Sequence, residues 1–122
     1  MHKILMKRVY EEAAEKDGYR ILADRLWPRG VKKEDLPHDL WAKEITPSSE
    51  IRKEFNHESE KFNAFKQHYL YEINENDEMD LFLETISEEL ETQNVTLLYA
   101  AKDEENNHVV ILKDWLEEML SK

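Results

Sequence analysis

Two short stretches hold the residue types best suited to chemistry on a small charged molecule. The first is Asp24–Gly30, DRLWPRG. Arg25 and Arg29 carry planar guanidinium forks that match a carboxylate or a phosphate. Asp24, immediately before Arg25, can orient an arginine or act as a base. Pro28 cannot continue a central strand, and Gly30 can take the positive φ angles of a turn, so the loop is stiff. From Arg20 to Lys33 five residues are basic (Arg20, Arg25, Arg29, Lys32, Lys33) and only Asp24 is acidic. Such a basic island in an acidic chain favours an anion site. The plainer alternative pairs Asp24 with Arg25 or Arg29 and buries Trp27 in the core.

The second stretch is Lys102–His108, KDEENNH. His108 is the best proton-transfer candidate, because an imidazole titrates near neutral pH. Its alternative is an exposed or capping histidine. Lys102 and Asn107 complete a ligand-binding set with Arg25 and Arg29, while His108 and Asp24 form the catalytic set. Asp24, Asp103, Glu104 and His108 are also donors that a divalent ion accepts. None of the recognised ligand spacings is present, so no metal site is assigned. Neither of the two glycines belongs to a Gly-rich phosphate loop, which removes the usual dinucleotide and P-loop fingerprints. No cofactor is named.

These stretches can meet only if the right elements carry them. Tyr19–Ala23 is apolar except for Arg20, and Val95–Ala101 (VTLLYAA) is apolar apart from Thr96. Neither alternates, so both read as strands buried on two faces. If they are parallel neighbours, their loops converge at one sheet edge, where open α/β sheets bind ligands. Ile4–Tyr10 reads as a further strand, Asp17-Gly18 as a turn, and Asp39–Ile45 as ambiguous. Ser48 is a candidate N-cap for a helix holding Ile51, Arg52 and Phe55. Phe62, Phe65, Tyr69 and Ile73 make one apolar stripe of a second helix. A third helix turns Leu81, Phe82, Thr85, Ile86 and Leu90 inward. The last begins at Asn106 or Asn107 and points its N-terminus, which favours anions, toward the same edge.

Composition narrows the function classes. A chain of 122 residues with 40% apolar and 37% charged residues fits one soluble domain, residues 1–122. A net charge of −11 argues against general nucleic-acid binding, which needs many phosphate contacts from Lys and Arg. No apolar run approaches the roughly 20 residues of a membrane span. The first residues become charged too soon for a signal peptide. With no cysteine there is no disulfide, thiol nucleophile or zinc-thiolate site, and a cytoplasmic location is the default expectation. Nine acidic residues and no Lys or Arg lie between Glu72 and Ala101, which reads as a solvated helix face.

Three segments, DRLWPRG (Asp24–Gly30), DLWAKEITPS (Asp39–Ser48) and LLYAAKDEENNH (Leu97–His108), closely resemble the short, YeaO-like branch of domain-of-unknown-function family 488. Arg52, Phe55, His57, Phe62 and Tyr69 fit as well, so the resemblance spans nearly the whole chain. It implies no activity. Longer members are similar in having an Asp–x–Arg-type element after an early strand and a Cys-His-Arg triplet after the last. Here those positions read Asp24-Arg25 and Asn107-His108-Val109, so only the histidine of the triplet matches. Thiol chemistry at that point is excluded, and the resemblance groups His108, Asp24 and the arginines in one site.

The expected fold is therefore a three-layer α/β sandwich, a small and mainly parallel sheet of three or four strands flanked by helices. The expected function is a small enzyme or binding domain for an anionic metabolite, phosphate- or carboxylate-bearing and including nucleotides. The alternative is a non-catalytic protein-interaction module using the acidic helices. Sequence alone assigns no oligomeric state.

Overall fold

The structure, a computed structural model, describes residues 2–122. Its elements are β1 (Ile4–Arg8), β2 (Tyr19–Leu22), β3 (Leu40–Trp41), α1 (Ser49–Phe55), α2 (Phe62–Glu75), α3 (Met79–Leu90), β4 (Val95–Tyr99) and α4 (His108–Leu120). The strands form one sheet in the order β1-β4-β2-β3, and every pairing is parallel. β2 and β4 are neighbours, with Tyr19 opposite Val95 and Leu22 opposite Leu98. Their lack of alternation follows from burial on both faces, since Ile21, Leu22, Leu97 and Leu98 are fully enclosed.

The face bearing Ile21, Leu97 and Tyr99 packs under the buried side chains of all four α-helices. The opposite face, with Leu22, Trp41 and Leu98, lies under Val9, Trp27, Val31 and Leu36. Handedness explains the division. The chain steps one way across the sheet from β1 through β2 to β3, then returns to β4 through α1–α3. Right-handed crossovers in opposite directions must use opposite faces. The sandwich thus has α-helices on one side and loops with short 3-10 turns, at Glu15–Asp17 and Lys33–Asp35, on the other.

Local signals set the helix ends. The Ser48 hydroxyl caps α1 by accepting from the Ile51 N–H, and it donates to the Glu72 carboxylate. The expected stripe of α2 is buried at Phe65, Tyr69 and Ile73 and half-buried at Phe62. In α3, Met79, Phe82 and Ile86 face the core, whereas Leu81, expected inside, is 63% exposed. A helix buries one stripe, and Leu81 lies on the flank beside it.

The loop-covered face holds a charged cluster at its far end. Asp17, only 1% exposed, bonds Lys7 and Arg20. Its carbonyl also accepts from the Thr96 hydroxyl. Burial alone would raise the Asp17 carboxyl, but the Ala14 N–H, Lys7 and Arg20 outweigh it and hold it below its ordinary value. The next residue, Gly18, has φ 66°, and a Cβ there would sit 2.1 Å from the Asn94 carbonyl oxygen.

Candidate functional site

The site grows from the way β2 ends. The last rung of its ladder is the Ala23 N–H donating to the Leu98 carbonyl. The Asp24 side chain then takes over. Its Oδ2 accepts the Ala100 N–H at 2.9 Å, and its Oδ1 lies 3.2 Å from His108 Nε2. That nitrogen is also 2.5 Å from the Ala23 carbonyl oxygen. A carbonyl only accepts, so Nε2 carries the proton, and any proton His108 gains goes onto Nδ1. The Asp24 main-chain carbonyl accepts from Trp41 Nε1 at 2.8 Å. One residue thereby ties together the exit of β2, the exit of β4, the end of β3 and the first turn of α4.

Neighbours hold this hub in place. Arg8, closing β1, donates to the carbonyls of Ala100 and Ala101. The Tyr69 ring meets the His108 ring edge-on at 6.4 Å, and its hydroxyl donates to Ile45 O at 2.7 Å. Burial pushes the Tyr69 phenol far up, so it remains a neutral donor. Trp27 is half-buried, donates to the Val31 carbonyl at 2.6 Å, and packs against the rings of His38 and Trp41. It stiffens the DRLWPRG loop.

Above the hub opens a cleft of about 770 Å³ at the carboxyl end of the parallel sheet. All six sequence candidates line it: Asp24, Arg25, Arg29, Lys102, Asn107 and His108. Their environments differ. Arg25 is tethered through Nε to the Pro47 carbonyl at 3.2 Å. Both ends of the Asn107 amide are engaged, its oxygen capping α4 at the N–H groups of Val109 and Val110 and its nitrogen donating to Asp103 O. Asp103 closes its own turn on Glu105 and Asn106, and these bonds, the Asn106 N–H foremost, hold its carboxyl below the ordinary value. Arg20, Lys32 and Lys33, counted in the basic island, do not line the cleft. Among the described residues no three His, Asp or Glu side chains gather as a metal-binding group.

A second wall of the cleft was not anticipated. α1 and the residues after it contribute Arg52, Lys53, Phe55, Asn56 and His57, and α2 adds Phe65. Asn56 and His57 have φ of 47° and 56°, a reversal that turns His57 back toward Phe55, ring centroids 6.0 Å apart. Five permanent cations now face one space: Arg25, Arg29, Arg52, Lys53 and Lys102. Among the described residues none of the five is in an ion pair; of the other permanent cations only Lys7, Arg20, Lys61 and Lys113 are. The Arg52 Nε is buried without a hydrogen-bond partner.

Sheet and cleft define a small parallel α/β domain with a basic pocket at its strand ends. The family model described as the inactive DUF488-N3 subclade matches residues 3–122, and the chain belongs to this family. It is 47% identical over 116 residues to the uncharacterized protein YeaO of Escherichia coli, covering 95% of this chain and 98% of that one. It is also 37% identical over 73 residues to the uncharacterized protein Rv3073c of Mycobacterium tuberculosis, 60% of this chain and 62% of the other. No solved structure matches. Among the described residues no helix is long and apolar enough to cross a membrane.

Proposed function

We propose that this chain is a cytoplasmic, non-catalytic binding domain for a small anionic metabolite, held in the cleft by Arg25, Arg29 and Lys102 together with Arg52. One observation carries the reading: five permanent cations converge on one cleft in a protein of net charge −11. Their guanidinium and ammonium groups offer charge-assisted donors to a carboxylate or phosphate. Asp24 and His108 are committed to each other and to main-chain groups, so their role is to lock the two loops together. The absence of cysteine, and the word inactive in the family's description, both favour binding over turnover.

The test is thermal unfolding and calorimetric titration with inorganic phosphate and with citrate. A ligand of the folded state at a hundredfold its Kd adds about 2.7 kcal/mol of stability. Arg25→Ala and Arg29→Ala should each weaken binding roughly ten- to a hundredfold, as losing a charge-assisted bond does. If both variants bind as wild type and merely unfold more easily, the loops are structural. A protein-interaction module using the acidic helices then replaces this reading.

A further inference from the structure

A bare inorganic anion uses little of a cleft of about 770 Å³, a volume within the range of pockets for drug-sized ligands. Part of the remaining lining is aromatic. Phe55 and Phe65 stack with centroids 4.5 Å apart and planes 17° apart, and both reach the cleft. His57 flanks the same wall. Beside it stands Arg52, on the same helix as Phe55, with its buried Nε unpartnered. Arg25 is tethered to Pro47, the residue before the cap of that helix. Arg25 and Arg52 therefore border the same cleft as Phe55 and Phe65, whose rings are largely buried and reach it along their margins.

Building on the anion-binding reading, we infer that the ligand is a phosphate monoester carrying a planar ring. Its phosphate sits on Arg52 and Arg25, and its ring lies against the Phe55–Phe65 wall. Two guanidinium forks suit the dianionic, three-oxygen head of a monoester. Offset or edge contact with the phenylalanines rewards a π-system over an alkyl group of equal size. Nucleoside monophosphates belong to this class, and the acidic surface disfavours longer nucleic acids.

The experiment is calorimetry on the full chain with inorganic phosphate, methyl phosphate, phenyl phosphate and adenosine 5′-monophosphate. Phenyl phosphate and the nucleotide should bind at least about tenfold tighter than methyl phosphate. Arg52→Gln should weaken every phosphate roughly ten- to a hundredfold while its unfolding curve stays near wild type. Equal affinity for methyl and phenyl phosphate overturns the ring assignment. Unchanged affinity in Arg52→Gln overturns the anchor. If neither inorganic phosphate nor any ester binds, the anion-binding reading itself fails, a result distinct from the other two. The ligand series needs no mutation of the phenylalanines, whose loss would disturb the core.

Discussion

Replacing Asp24 with asparagine tests the role of the residue at which the two loops meet. The change preserves shape and removes a charge. In the native arrangement Oδ2 accepts from the Ala100 N–H and Oδ1 faces the Nε2–H of His108, with the carboxylate only 14% exposed. An amide has one oxygen. Whichever way it turns, its NH₂ confronts another donor, from Ala100 or from His108. One charge-assisted bond is lost and the amide NH₂ is pressed against a sheltered N–H, a cost of about 1.5–3 kcal/mol. Spread over 122 residues, the entropy of unfolding makes that a fall in Tm of about 6–12 °C.

Urea unfolding followed by circular dichroism should show a lower midpoint with an unchanged slope, because the surface exposed on unfolding is the same. Phosphate affinity should hold or rise, since the cleft has lost a negative charge. An unfolding midpoint equal to wild type would refute the lock. Weaker phosphate binding would reassign Asp24 to the ligand.

Three further outcomes follow from the geometry. Gly18→Ala should destabilise by several kcal/mol or prevent folding, because the added methyl would meet Asn94 backbone at 2.1 Å and the φ is positive; a variant with native Tm would contradict this. Trp27→Ala, deleting a half-buried ring and its bond to Val31, should cost about 2–4 kcal/mol by denaturant titration and loosen the Asp24–Gly30 loop. Asp17, whose carboxyl is held below its ordinary value, contributes stability that is complete above about pH 4 and is lost as pH falls through the folded value. Asp17→Asn should remove that acid-sensitive part and cost about 3–5 kcal/mol at neutral pH, since Lys7 and Arg20 stay buried uncompensated. An acid-unfolding profile with the wild-type slope would count against it.

Where a signal is local, the sequence was legible. Non-alternating runs at Tyr19–Ala23 and Val95–Ala101 marked the central parallel pair, because burial on both faces leaves few polar positions. Ser48 and Asn107 announced two helix starts. The cleft's second wall was not legible, because Arg52, Lys53 and His57 reach it only through the packing of α1 and α2. The available clues were Arg52-Lys53 on the polar side of a helix whose Ile51 and Phe55 face the core, and Arg52 and His57 among the residues of the family resemblance. Arg20 misled for the converse reason. Side chains alternate across a strand, so its neighbour Ile21 faces the helices while Arg20 turns to Asp17 on the other face. β3, only two residues long, had too little pattern to read.

An acidic protein with a basic cleft poses no electrostatic contradiction, because the two act over different distances. At physiological ionic strength charges more than about 8 Å apart on the surface are largely screened. The nine carboxylates between Glu72 and Ala101 therefore repel an anion only weakly once it is inside the cleft. Guanidinium groups in contact with it are not screened in this way, and low-dielectric walls such as Phe55 and Phe65 strengthen them further. Before entry the order reverses, and the net charge of −11 opposes the approach of any extended polyanion. Raising salt relieves that long-range repulsion while weakening the short-range attraction, so the two changes offset. The salt dependence of phosphate binding should accordingly be shallow, unlike the steep loss seen when a basic protein releases a nucleic acid. That shallow slope separates a small enclosed anion site from a general polyanion surface.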